Sequence, residues 1–357
     1  MQTFSAIPER IRDAFTPQMR AVVEHQLDRA AALRADGADQ ATDGTLAEDP
    51  RPGPNGAALI AAARSEYLAE RAFWNQGGPR MHETRDFLIN AAGTEVPVRM
   101  HRPGDARVLP AIVFLHGGGF TLGNLDSHDR IARVLAEASG AAVIAVDYTL
   151  SPEARFPQAL HECAGVIARL ALDGERYGLD GGRLAVAGDS AGAALSLGSA
   201  LLLRDEPDRV PEAAADPDRV FASLRAMLLY YGAYGLANSS SRASYGGFWD
   251  GMSSDDLGSI TDTYLSKPAD RKSPYASPLT ADLDAALPPA LIIGAELDPL
   301  RDDSEALATR LEAAGHEVEW EIVPGVLHSF LHFGRMLDEA GAALTRGAEF
   351  ARDRLAE

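Results

Sequence analysis

The chain has 357 residues, 46% apolar and 24% charged, and its 33 Lys and Arg against 52 Asp and Glu give a net charge of -19. That length carries one large domain or two modest ones, and it buries a core without a metal or disulfide staple. The acidic balance argues against a nucleic-acid partner and against docking on anionic membrane, because phosphate surfaces call for a basic face.

The first residues, Met1 to Glu9, have neither a basic start nor an apolar stretch, so no secretory signal is read there. No run reaches the ~18 apolar residues of a membrane span. The expectation is a cytoplasmic protein. Residues 1–84 read as polar helices over Met19–Leu33 and Ala57–Phe73, joined by a Gly/Asp/Pro-rich loop over Ala38–Gly56. With little core of their own, they suggest a cap or lid. From residue 85 the pattern changes. Asp86–Ile89 and Val96–His101 read as a hairpin. Apolar runs at Ala111–Leu115, Ala142–Val146, Leu184–Ala187, Ala226–Leu229, Leu291–Gly294 and Val318–Val323 then alternate with helical segments. Those helices are placed at Ser127–Ser139, Gln158–Leu172, Gly192–Leu203, Asp303–Ala314 and Arg335–Leu355. This alternation predicts an α/β fold, a mostly parallel central sheet with helices on both faces, in a domain over 85–357. Asp205–Arg219 reads as an acidic surface insertion, and 232–278, carrying Phe248 and Trp249, as a second cap segment. The lone cysteine, Cys163, sits in an amphipathic helical stretch and reads as a buried, inert thiol.

Two glycine motifs carry chemistry. Gly188-Asp189-Ser190-Ala191-Gly192 follows one apolar run and opens a helix, the strand-turn-helix context of a G-x-S-x-G nucleophile. His116-Gly117-Gly118-Gly119-Phe120 follows another strand directly. Its amides, completed by that of Ala191, suit the oxyanion formed when Ser190 attacks a carbonyl, each donor being worth ~3 kcal/mol in the transition state. A phosphate-binding reading lacks the Lys or G-x-G-x-x-G it needs.

A serine hydroxyl needs a base. In the chain order Ser, acid, His, the later histidines His316, His328 and His332 qualify. His328 follows a strand and a turn read at Pro324-Gly325, where a loop at the carboxyl edge of the sheet belongs. His316 falls at the opposite end, and His332 about a turn further on. Asp298 lies just past the strand Leu291–Gly294, with Glu296 as the rival acid and Asp302 and Asp303 read as helix caps.

Taken together, these segments resemble the hormone-sensitive-lipase-type carboxylesterases of the α/β-hydrolase superfamily. Further stretches, Gly123–Arg130, Asp147–Ala159 and Tyr245–Gly251, are similar to bacterial acetyl esterase. The resemblance covers about residues 85–357; Ala193 stands where the wider family often has glycine. It implies an α/β-hydrolase core with a helical cap, acting on short-acyl esters. It implies Ser190 as nucleophile, His328 as base and then acid, and Asp298 as its orienter. Gly118, Gly119 and Ala191 become the oxyanion donors, with Gly117 the alternative for one of them. His116 is then structural, Glu153 braces the site through a buried hydrogen bond, and Asp189 supports it. No metal or organic cofactor is needed. The partner expected is a small-molecule ester, with neither nucleic acid nor membrane, and a homodimer is left open. Phe120, Phe248, Trp249 and Phe330 are candidate pocket walls. The rival readings are an amidase, lactonase or peptidase on the same scaffold, and a non-catalytic ligand-binding protein.

Overall fold

A computed structural model of the chain describes residues 3–35, 54–247 and 252–356, without the side chains of 32–35, 54 and 55. Most of the expected loop over Ala38–Gly56, together with Phe248 and Trp249, lies outside the described residues. Helices α1 (Glu9–Ala14), α2 (Pro17–Ala35) and α3 (Pro54–Trp74) precede the first strand. There follow β1 (Glu83–Ala91), β2 (Thr94–Arg102), β3 (Leu109–Leu115), α4 (Asp129–Ser139), β4 (Ala142–Val146), α5 (Gln158–Asp173), β5 (Leu179–Asp189) and α6 (Ala191–Asp205). The chain continues through α7 (Pro217–Ala222), β6 (Leu224–Tyr230), α8 (Ser240–Ser244), α9 (Ser254–Tyr264), β7 (Ala290–Leu297), α10 (Arg301–Ala313), β8 (Val318–Leu327) and α11 (Asp338–Leu355).

The eight strands form one sheet in the order β1-β2-β4-β3-β5-β6-β7-β8. The β1–β2 and β2–β4 pairs are antiparallel and the rest parallel. Ala92 and Gly93, both at positive φ, close the β1–β2 hairpin in two residues, as a turn matched to strand twist requires. β3 shows why its run is continuously apolar. Ala111, Val113 and Leu115 face one buried cluster with α5 and α6, while Ile112 and Phe114 face the other with α4 and α11.

The N-terminal residues are less detached than their polar composition suggests. Ile7, Ile11, Phe15, Met19, Val22, Val23 and Trp74 are buried in the same cluster as Ile112 and Phe114. Three other expectations are corrected. The segment 205–219 is not merely a surface insertion: Val210 and Ala213, with Val220 just beyond, are buried against the core shared with α5. β8 runs through Pro324 and Gly325 to Leu327 instead of turning there, and Gly325 N donates to Glu296 Oε2 at 2.7 Å. Asp302 and Asp303 do not cap α10. Asp302 Oδ2 accepts from Ser240 Oγ and Ser241 N, and Asp303 Oδ1 accepts from the amides of Tyr234, Gly235 and Leu236, so both hold the chain leading into α8. Among the described residues, no helix is long and apolar enough to cross a membrane.

Candidate active site

Four strands deliver the site residues, each one position past a strand end: His116 after β3, Ser190 after β5, Asp298 after β7 and His328 after β8. β4 lies on one side of β3 and β5 on the other. That makes β3/β5 the switch point of the sheet, where a crevice opens at the carboxyl edge. Both glycine motifs stand there.

Glycine is required around Ser190 by close approach. A Cβ on Gly192 would overlap the Leu115 carbonyl oxygen, and one on Gly188 would overlap the Gly192 backbone. β5 and α6 therefore meet in a turn that holds Ser190 at φ 54° and ψ -118°. A non-glycine residue is rarely held so, and such strain collects at functional sites. Phe120, Tyr231 and Ser329, also at positive φ, lie on loops around the same edge.

The side chains then line up. Ser190 Oγ is 2.9 Å from His328 Nε2, and His328 Nδ1 is 2.7 Å from Asp298 Oδ2. Asp298 is fully buried, and its Oδ1 accepts from Leu300 N at 2.7 Å. The Tyr231 ring meets the His328 imidazole edge-on at 5.0 Å. Of the glycine-loop amides, that of Gly117 is occupied, donating to Asp189 Oδ1 at 2.9 Å. Among the described residues, the amides of Gly118, Gly119 and Ala191 donate to no protein group, and Gly118 and Gly119 take φ of 120° and 60°.

Asp189 is a buried hub behind Ser190. Besides Gly117 N, it lies 3.3 Å from His128 Nε2 and accepts from Tyr231 Oη at 3.4 Å. Burial alone would raise its carboxyl pKa, but His128 and the Gly117 amide hold it below the ordinary range. His116 stacks on Tyr148 at 4.4 Å, places Nδ1 2.8 Å from the Gly117 carbonyl oxygen and is held neutral by burial, with a pKa lowered to about 3. Among the described residues, His128, Asp189 and His332 are the one group of metal-ligand type, their ligating atoms within 4.8 Å of one another. Asp189 is already engaged there by an amide, an imidazole and a phenol.

Other candidates fall elsewhere. His332 is buried in a short turn over Phe330–Phe333, and His316 Nε2 sits 2.7 Å from the Leu283 carbonyl oxygen. Glu296 is taken up by Gly325. Glu153 does not make the expected buried hydrogen bond: its side chain is 56% exposed and pairs with Arg64 at 2.7 Å. Arg64, on α3, also donates to the carbonyls of Thr121 and Ser151, so it ties the N-terminal helices to the glycine loop. Phe330 is packed in the core beside Tyr231 and walls no pocket. Cys163 is buried, which pushes its thiol pKa far up and leaves it inert. The sequence reading missed Arg64, His128 and Tyr231. Only His128 had a signal, its place in the stretch Gly123–Arg130.

A family profile described as alpha/beta hydrolase fold matches residues 112–332. Among solved structures, an esterase from Pyrobaculum calidifontis is 35% identical, with a TM-score of 0.75 over 82% of this chain and 93% of that one. EstE1, a thermostable carboxylesterase cloned from a metagenomic library, is 30% identical, with a TM-score of 0.76 over 83% and 97%. A thermostable esterase from Pseudomonas putida is 30% identical, with a TM-score of 0.75 over 83% and 90%. The chain belongs to the α/β-hydrolase family, in its hormone-sensitive-lipase-type branch of carboxylesterases.

Proposed function

We propose that this carboxylesterase hydrolyses short-acyl esters, such as acetyl esters, through an acyl-enzyme on Ser190. The observation that carries the reading is the run from Ser190 Oγ through His328 to Asp298, at 2.9 and 2.7 Å, beside three amides unengaged among the described residues. His328 Nε2 takes the Ser190 proton as Oγ attacks the carbonyl carbon. The Gly118, Gly119 and Ala191 amides hold the oxyanion. His328 then gives the proton to the departing alkoxide, leaving acyl-Ser190. Water, deprotonated by the same imidazole, attacks the acyl carbon, and His328 returns that proton to Ser190 Oγ as the acid leaves. Asp298, accepting from Nδ1–H, keeps Nε2 free as the base and stabilises the imidazolium. In this reading the helices α1 to α3 and the described part of the segment 232–278 serve as the cap over this edge. The short-acyl preference rests on the likeness to acetyl esterase.

Nitrophenyl acetate, butanoate and octanoate assayed beside the matching anilides test the reading. The esters are expected to turn over, with kcat/KM highest at the short end. Faster cleavage of anilides would move the assignment to an amidase.

Arg64 gives a second test. Its hydrogen bonds to Thr121 O and Ser151 O fix the far end of the glycine loop, whose misplacement by a fraction of an ångström is costly. Arg64→Ala is expected to lower kcat about tenfold at little change in KM. Glu153→Gln, which breaks only an exposed pair, is expected to change it by about twofold or less.

A further inference from the structure

α9 lies against the outer edge of the glycine loop. Ile260 Cγ2 comes within 3.0 Å of the point where a Cβ on Gly119 would stand. Tyr264, four residues on and therefore on the same helix face, lays its ring flat on Phe120. Their centroids are 3.7 Å apart and the planes 8° from parallel. The Tyr264 carbonyl accepts from Phe156 N at 2.8 Å, and the Phe156 ring meets Tyr264 edge-on at 5.7 Å. The end of α9 is therefore fixed, and Ile260 cannot retreat from Gly119 without unstacking a buried aromatic pair. Tyr264 and Phe120 are 3% and 9% exposed, whereas Ile260 is only partly buried. Of the three, Ile260 is the least buried.

The direction of a bound acyl chain follows from the other groups on the tetrahedral carbon. One bond goes to Ser190 Oγ. The oxyanion faces the amides of Gly118, Gly119 and Ala191. The leaving oxygen must face His328 Nε2, which protonates it. The acyl chain takes the fourth direction, away from His328 and past the Gly119 edge.

We propose that Ile260 is the wall that sets acyl length: it closes the gap beside Gly119, so a chain of a few carbons ends short of it and a longer one meets the Ile260 side chain. The proposal rests on the serine-esterase reading and names the group that makes the preference short. The test uses the full chain, with Ile260→Ala and Ile260→Phe, on two series: nitrophenyl esters from acetyl to octanoyl, and acetyl esters of alcohols of increasing length. Ile260→Ala is expected to raise the octanoyl-to-acetyl ratio of kcat/KM by about tenfold or more, and Ile260→Phe to lower the butanoyl-to-acetyl ratio by about tenfold. Ratios within the alcohol series are expected to stay within about twofold. An unmoved acyl profile overturns the proposal, and so does a shift confined to the alcohol series. Should Ile260→Ala fail to fold, the Ile260→Phe arm decides alone. A wild-type chain that turns over no ester in either series overturns the esterase reading itself.

Discussion

Asp298→Asn is expected to lower kcat about 10⁴-fold with the fold intact. The reason lies in two hydrogen bonds that one amide cannot replace. Asp298 Oδ1 accepts from Leu300 N and Oδ2 faces His328 Nδ1, each at 2.7 Å, in a site closed to water. An asparagine that keeps its oxygen on Leu300 N turns its NH₂ toward Nδ1. The imidazole must then carry its proton on Nε2, where it can no longer accept one from Ser190. An asparagine flipped the other way sets NH₂ against the Leu300 N–H and leaves two donors facing each other. Ser190→Ala is expected to cost more, about 10⁶-fold in kcat, and to abolish labelling by a fluorophosphonate probe. Steady-state kinetics on a nitrophenyl ester, with thermal unfolding as the check on folding, reads both. Asp298→Asn working within tenfold of wild type would mean that another group orients His328, and Tyr231, edge-on to the ring, would be the first to examine.

The sheet was legible because its central strands are buried on both faces, which leaves runs such as Ala111–Leu115 with no polar residue to confuse them. The turn at Ser190 and the glycine loop were legible because close backbone approach leaves a local mark, glycine at fixed spacing. His328 and Asp298 could be picked out by chain order and strand edges. What failed depended on partners far along the chain. Pro324-Gly325 looks like a turn, yet Glu296, 29 residues earlier, accepts the Gly325 amide and the strand continues. Asp302 and Asp303 have the spacing of helix caps, but amides more than 60 residues away claim them. Val210 and Val220 sit among acidic residues that hide their burial. Arg64 and Ile260 have no motif at all, because each makes its contact only once α3 and α9 are folded onto the loop.

The buried histidines make the fold sensitive to acid well before its carboxylates protonate in the unfolded chain. Burial lowers His101 to about 4 and His116 to about 3, and pushes His332 well below its usual value. Below pH ~6.5 the unfolded chain therefore binds protons at these three positions that the folded chain refuses, and stability falls with pH. Two carboxyls oppose this. Burial raises Asp147 and Asp303 to about 6, so between pH ~6 and ~4 the folded chain takes up protons there that the unfolded chain does not. These three imidazoles outnumber the two carboxyls, and burial also lowers the partly exposed His25 and His161, so the excess is about one proton or somewhat more, or at least about 1.4 kcal/mol lost per pH unit. The Asp147 side chain is 34% exposed and offsets less than its full share, which steepens the decline. Below pH ~4 the offset ends while Asp189, held below its unfolded value, begins to lose its contribution, so the loss accelerates. Urea unfolding at pH 7, 6, 5 and 4 measures the slope, which is expected to show a loss of about 3 kcal/mol from pH 6 to 4. Asp303→Asn keeps an oxygen for the three amides of Tyr234, Gly235 and Leu236 but cannot take up the proton, so it should steepen the decline by about 1.4 kcal/mol per pH unit. His101→Gln should flatten it by a similar amount. Stability that stays level from pH 6 to 4, or a slope that neither substitution moves, would show that these groups titrate alike in the folded and unfolded chains.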